Sequence, residues 1–155
     1  MKFYILGDSH HGNPEVVEKI RELIERLSRG KKSAIFTEIF MIDEQNIIEK
    51  MRKEPETIDK VAGEYKLYLE FCINNGIDIF PISPRNEKLG FVYWKMPEED
   101  LDLRLFSNFA RKFREVEGKY EVYFIDIGSS HVKAFEEQFR ERFKKEGYDI
   151  ISFIV

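Results

Sequence analysis

Residues 2–14 read KFYILGDSHHGNP, and the fold class is decided there. An apolar run, Phe3 to Leu6, breaks at Gly7 into a polar turn that carries Asp8, Ser9, His10, His11 and Gly12. Asn13 then stands where a helix cap is wanted, and Pro14 where the first helical residue tolerates a proline. Strand, polar turn and helix start follow one another within thirteen residues. Working outward, short runs rich in β-branched and aromatic residues recur at 33–38, 77–82, 120–127 and 149–155, each with strand character. Helical spacing fills the intervals. Val17, Ile20, Ile24 and Leu27 share one face up to Gly30, a short helix is expected over 43–51, and Ile58, Val61, Tyr65, Tyr68, Leu69 and Cys72 line another helix over 55–74, ended by Gly76. A further helix from Pro97 to Gly118 carries Leu101, Leu105, Phe109, Phe113 and Val116, and the last stacks Phe135, Phe139 and Phe143 before Gly147.

Strands alternating with helices predict an α/β fold, a mostly parallel open sheet of about five strands with helices on both faces. At 155 residues the chain suits one domain spanning 1–155. With 43% hydrophobic residues, 14 Phe and 7 Tyr, it has material for a true core, which excludes disordered and coiled-coil classes. The 25 Lys and Arg nearly balance 29 Asp and Glu, and a net charge of −4 predicts no nucleic-acid partner. After Met1 and Lys2 only four apolar residues precede Gly7, too few for a signal peptide, and no 18-residue apolar run occurs. A cytoplasmic protein with no membrane partner is expected. The single cysteine, Cys72, lies on an apolar helical stripe and reads as a small core residue. Plentiful Glu and Lys beside just two Gln, Gln45 and Gln138, matches thermophile usage. Residues 89–95 read either as an extra strand or as a loop over the sheet edge. Within them Phe91, Tyr93 and Trp94 offer a patch for homo-oligomer formation or simple packing.

In an open parallel sheet, ligands bind beyond the carboxyl ends of the strands. The first strand is followed by Gly7, Asp8 and His10-His11; the second ends in Thr37-Glu38; the third leads to Ser83, Pro84 and Arg85; and the fourth gives Asp126, Gly128 and His131. All three histidines of the chain therefore fall at one rim. The first and fourth strands end in the same pattern, Gly-x-x-His, at 7–10 and 128–131. Gly7 and Gly128 are expected to allow a positive φ or the close approach of a bound group. Adjacent side chains diverge, so one of His10 and His11 is expected to enter the site, and His10 fits the repeated pattern.

Two imidazoles and one or two carboxylates in a cleft support two chemistries. They can ligate Zn, Mn or Co through His10, Glu38 and His131, the metal acidifying a bound water. Alternatively, a carboxylate-oriented histidine acts on water directly. Arg85, facing the cleft, would suit a carboxylate, a phosphate or a developing oxyanion. Asp8 and Asp126 each have a second role available, bonding nearby backbone N–H groups. No Gly-x-Ser-x-Gly elbow surrounds Ser9, Ser129 or Ser130, so these serines read as capping residues.

Ile5-Leu6-Gly7-Asp8-Ser9-His10, Asn13-Pro14, and the segment from Ala34 to Glu38 with Phe40 and Gln45 resemble the superfamily of erythromycin esterases, ChaN-like haem-uptake proteins and TraB/Tiki proteins. The order of motifs is also similar: an early Gly-x-x-His turn, a Glu ending the second strand, a proline turn after the third, and a late Gly-x-x-His. The resemblance covers nearly the whole chain in outline. Asp8 stands where the family often has Glu, and the chain is shorter than typical members. What it implies is a hydrolase site of His10, Glu38 and His131, supported by Asp8 and Arg85, acting on an ester or amide bond of a small molecule or peptide. The ChaN-like alternative implies a protein that binds haem or another small molecule. Gly7-Asp8-Ser9-His10 is also similar to the opening motif of calcineurin-like metallophosphoesterases, but the later Gly-Asp-x-x-Asp and Gly-Asn-His motifs of that family are missing.

Overall fold

The computed structural model describes residues 1–84 and 96–155. Five strands, β1 (Lys2–Asp8), β2 (Ser33–Met41), β3 (Asp78–Ser83), β4 (Val122–Gly128) and β5 (Asp149–Ile154), form one parallel sheet in the order β3-β2-β4-β1-β5. The expected α/β class and strand number are therefore present. Helices α1 (Pro14–Ser28), α2 (Gln45–Lys53), α3 (Ile58–Val61) and α4 (Lys66–Asn74) precede β3. Helices α5 (Glu98–Val116) and α6 (Val132–Arg142) follow it.

Period-two alternation assigns the strand side chains to opposite faces. Phe3, Ile5, Ala34, Phe36, Tyr123, Ile125 and Ile127 join one core with the phenylalanines of α5 and α6, while Tyr4, Leu6, Ile35, Val122 and Phe124 join the other with α1, α2 and α4. The strand order explains this split. The first two crossovers run toward β3 and the last two run back toward β5, so connections of one handedness place the two groups of helices on opposite faces. On the α5/α6 face the expected stripe is core: Phe109 meets Phe135 at 5.1 Å and stacks on Phe113 at 5.7 Å.

Asn13 caps α1 as its position predicts, its side chain accepting from the Glu15 and Val16 amides. The single helix expected over 55–74 is instead broken. Gly63 adopts a φ of 52°, a value that interrupts right-handed helix, and single 3-10 turns at Pro55–Thr57 and Gly63–Tyr65 flank α3. Val61, placed on the apolar stripe by spacing, is consequently 39% exposed. Cys72 is fully buried, and its thiol is pushed up by burial, as a core cysteine should be. Among the described residues no helix is long and apolar enough to cross a membrane. Arg85 and the stretch 89–95 lie outside the described residues.

Candidate active site

Strands β1 and β4 are neighbours, yet α1 leaves β1 onto one face and α6 leaves β4 onto the other. This divergence opens a crevice at their carboxyl ends, the usual ligand position in such sheets. A cleft of about 610 Å³ lies there, lined by His11, Glu38, Tyr65 and His131 among polar residues and by Ile39, Met41, Met96 and Leu101 among apolar ones.

The turn after β1 is held by Asp8, which is 3% exposed and accepts the His10 amide on Oδ1 at 3.1 Å. That is the backbone role read for Asp8 from its place beside a turn. Gly12 then takes a φ of 73°, reversing the chain into α1. It is His11, not His10, that enters the cleft. Its Nδ1 lies 3.3 Å from Asp8 Oδ2 and 3.2 Å from the Tyr65 hydroxyl, whereas His10 is exposed and absent from the cleft lining. The His11 ring remains 60% exposed, and the Asp8 carboxylate beside it raises its pKa. Among the described residues no group donates a hydrogen bond to the buried Asp8 Oδ2, so His11 is the group positioned to neutralise it.

One layer deeper, Thr37 of β2 and Asp126 of β4 are paired in register. Asp126 Oδ2 accepts from the Tyr68 hydroxyl at 2.5 Å and from Thr37 Oγ1 at 3.1 Å. Asp126 therefore bonds side chains and not the neighbouring backbone amides offered by its sequence position. Burial pushes its carboxyl up to about 7, with Asp8 and Glu38 adding repulsion and the Tyr68 hydroxyl opposing it. Glu38, one residue beyond Thr37, points to the cleft and accepts the Gly128 amide on Oε1. Burial raises its pKa as well, and His131, the Gly128 amide and His11 pull in the other direction.

On the opposite wall the 3-10 turn Ser129–His131 delivers His131 into the cleft. Its Nδ1 stands 2.5 Å from Asp102 Oδ1 of α5, and both side chains are 15% exposed. With Nδ1 engaged by a carboxylate, Nε2 is the ring nitrogen left for chemistry. Gly128 is the point where the groups converge. A Cβ placed there would lie 3.0 Å from Glu38 Oε1, 3.1 Å from His11 Nε2 and 3.4 Å from His131 Cδ2.

The structure thus brings Asp8, Glu38, Gly128 and His131 together and leaves His10 aside. His10 fitted the repeated pattern only by spacing, and the Asp8–Tyr65 pair selects the next ring. Neither Gly7 nor Gly128 has a positive φ. Gly7 is needed for packing, because a Cβ there would lie 2.8 Å from Cγ2 of the buried Val132 and 2.8 Å from Cδ1 of the exposed Ile154, neither of which lines the cleft. Asp102 and Tyr65 were missed. Asp102 sits among Glu98, Glu99 and Asp100 and looks like one more first-turn acid, and Tyr65 sits on an apolar stripe. Nothing in the local pattern sets Asp102 apart from those neighbouring acids. Among the described residues, no group of three His, Cys, Asp or Glu side chains is arranged to hold a metal ion. No protein-family model matches the sequence, no curated protein matches it, and no solved structure matches the fold.

Proposed function

We propose that the chain is a hydrolase of ester or amide bonds that activates water between His131 and Glu38, on a small-molecule or peptide substrate held in the cleft. The observation that carries this reading is the Asp102–His131 pair, a partly buried histidine oriented by a carboxylate at 2.5 Å beside a second, cleft-facing acid. Orientation by Asp102 fixes the proton on Nδ1 and leaves Nε2 basic, the arrangement that general-base catalysis on water requires. His131 takes a proton from the attacking water, whose other hydrogen stays on the oxygen and is hydrogen-bonded to Glu38. Charge then develops on the carbonyl oxygen. His11, kept cationic toward higher pH by Asp8, supplies an Nε2–H donor beside Gly128 for that oxyanion. The proton held by His131 passes to the departing oxygen or nitrogen as the bond to the acyl carbon breaks. Two histidines thus acquire opposite tasks from their carboxylate partners and surroundings.

The proposed kinship with the erythromycin esterase, ChaN and TraB/Tiki group rests on Glu38 and the Gly128-x-x-His131 turn alone, since His11 and not the motif's His10 stands beside them. No step runs through a metal ion, and elemental analysis of the purified protein reports directly whether one accompanies it. The test is hydrolysis of an ester and peptide panel by wild type, Glu38→Gln, His131→Ala and Asp102→Asn, each checked for native circular dichroism. Loss of about 10²- to 10⁴-fold in Glu38→Gln and His131→Ala is expected. Asp102→Asn should lower kcat, because an amide no longer holds the His131 proton on Nδ1. Equal rates in wild type and all three folded variants would overturn the assignment.

A further inference from the structure

The cleft lining mixes two kinds of side chain: His11, Glu38, Glu44, Tyr65, Ser83 and His131 are polar, while Ile39, Met41, Met96 and Leu101 supply an apolar wall. All four of these side chains are half-buried, leaving apolar surface turned to the cleft. Their placement follows from the fold. Strand β2 runs on past Thr37, where its pairing with β4 ends and its register with β3 shifts, and this extension carries Ile39 and Met41 out over the rim. Leu101 projects from the first turn of α5, with Met96 just before that helix. Two of the chain's four methionines face this one space. Methionine is unbranched and adaptable, so such a wall accommodates flexible chains of varying shape. Among the described residues lining this space, Glu38 and Glu44 are two acids against the single cation His11, a balance that disfavours a second negative charge on a ligand.

Resting on the hydrolase reading above, we propose that the substrate's acyl portion is an uncharged, flexible apolar chain lying along Ile39, Met41, Met96 and Leu101. Its carbonyl then sits between His131 and His11. Hydrolysis turns that carbonyl carbon into a carboxylate, formed between His11 and Glu38.

The experiment compares p-nitrophenyl acetate, butyrate, hexanoate and octanoate with the p-nitrophenyl hemisuccinate. In parallel, binding of acetone, 2-octanone and octanoate is followed through the ring NMR signals of the three histidines. For the wild type, kcat/KM should rise up to about fourfold per added methylene until the wall is covered. The hemisuccinate should fall at least tenfold below butyrate. Met96→Gln and Leu101→Ser should each flatten the octanoate-to-acetate ratio, and either variant suffices should the other misfold. A flat or falling chain-length series, or a hemisuccinate as good as butyrate, overturns the proposal while leaving the hydrolase reading intact. If no ester is turned over but 2-octanone still perturbs the His11 and His131 signals more tightly than acetone or octanoate, the apolar-chain site stands and the hydrolase reading falls. If 2-octanone binds no better than octanoate, the proposal is wrong.

Discussion

Asp126 shows how much a single side chain's surroundings decide. It is 2% exposed, bonded by Tyr68 and Thr37, and raised from an ordinary 3.8 to about 7. Because its folded-state pKa lies above the unfolded one, the native state favours the protonated acid. Its contribution to stability is complete below about pH 4 and is lost as the pH rises through 7. Urea unfolding of wild type and Asp126→Asn across this window is expected to show their stability difference moving by up to about 4 kcal/mol against the wild type. A pH-independent difference would mean that Asp126 ionises normally. At this scale the sequence was only partly readable. Asp8, Glu38 and His131 were identified from their places after strands, because that position brings any polar side chain to the rim. The choice between His10 and His11 was not readable, since it depends on Tyr65, fifty-four positions away.

The elements were more legible than their junctions. Strand runs and the phenylalanine stripes of α5 and α6 announced themselves by periodicity, since burial against a sheet imposes that spacing. The break at Gly63 escaped, because a glycine within an otherwise helical pattern is tolerated as often as it interrupts. At the end of β4, Gly128 serves the site through closeness rather than through an unusual backbone angle. Its φ is −58°, so alanine fits the backbone, yet a methyl group would press on Glu38 Oε1 and His11 Nε2. Gly128→Ala is therefore expected to cost little in thermal stability while lowering kcat/KM at least tenfold on any substrate the protein hydrolyses. Matched activity and Tm in the variant would show that these groups need not keep their separation. Gly7→Ala should do the reverse, lowering Tm by crowding Val132 and Ile154.

For the molecule as a whole, alternation of strands and helices revealed the class but could not reveal the order β3-β2-β4-β1-β5. Strand order depends on which strand edges pair at long range, and nothing in the local pattern encodes it. The order matters for the site, since it sets β1 beside β4 and brings together residues more than a hundred positions apart. It matters for stability too, because β1 and β2 touch only through β4. A fragment of residues 1–121, lacking β4 onward, is expected to show no cooperative unfolding transition and weak amide protection in β1. A protected, cooperatively melting fragment would show that the N-terminal strands have another way to pair.

Since β4 is the wedge that joins both halves of the sheet, β1 in a newly made chain cannot join β2 and β3 until β4 has been made. Translation at about 5–20 residues per second leaves β1 without its neighbour for roughly ten seconds after it emerges from the ribosome. During that interval Phe3, Ile5 and their backbone edges are open to chance pairing. Yield in the cell should therefore depend on how fast the ribosome reaches β4 and on chaperones guarding the nascent chain until it does.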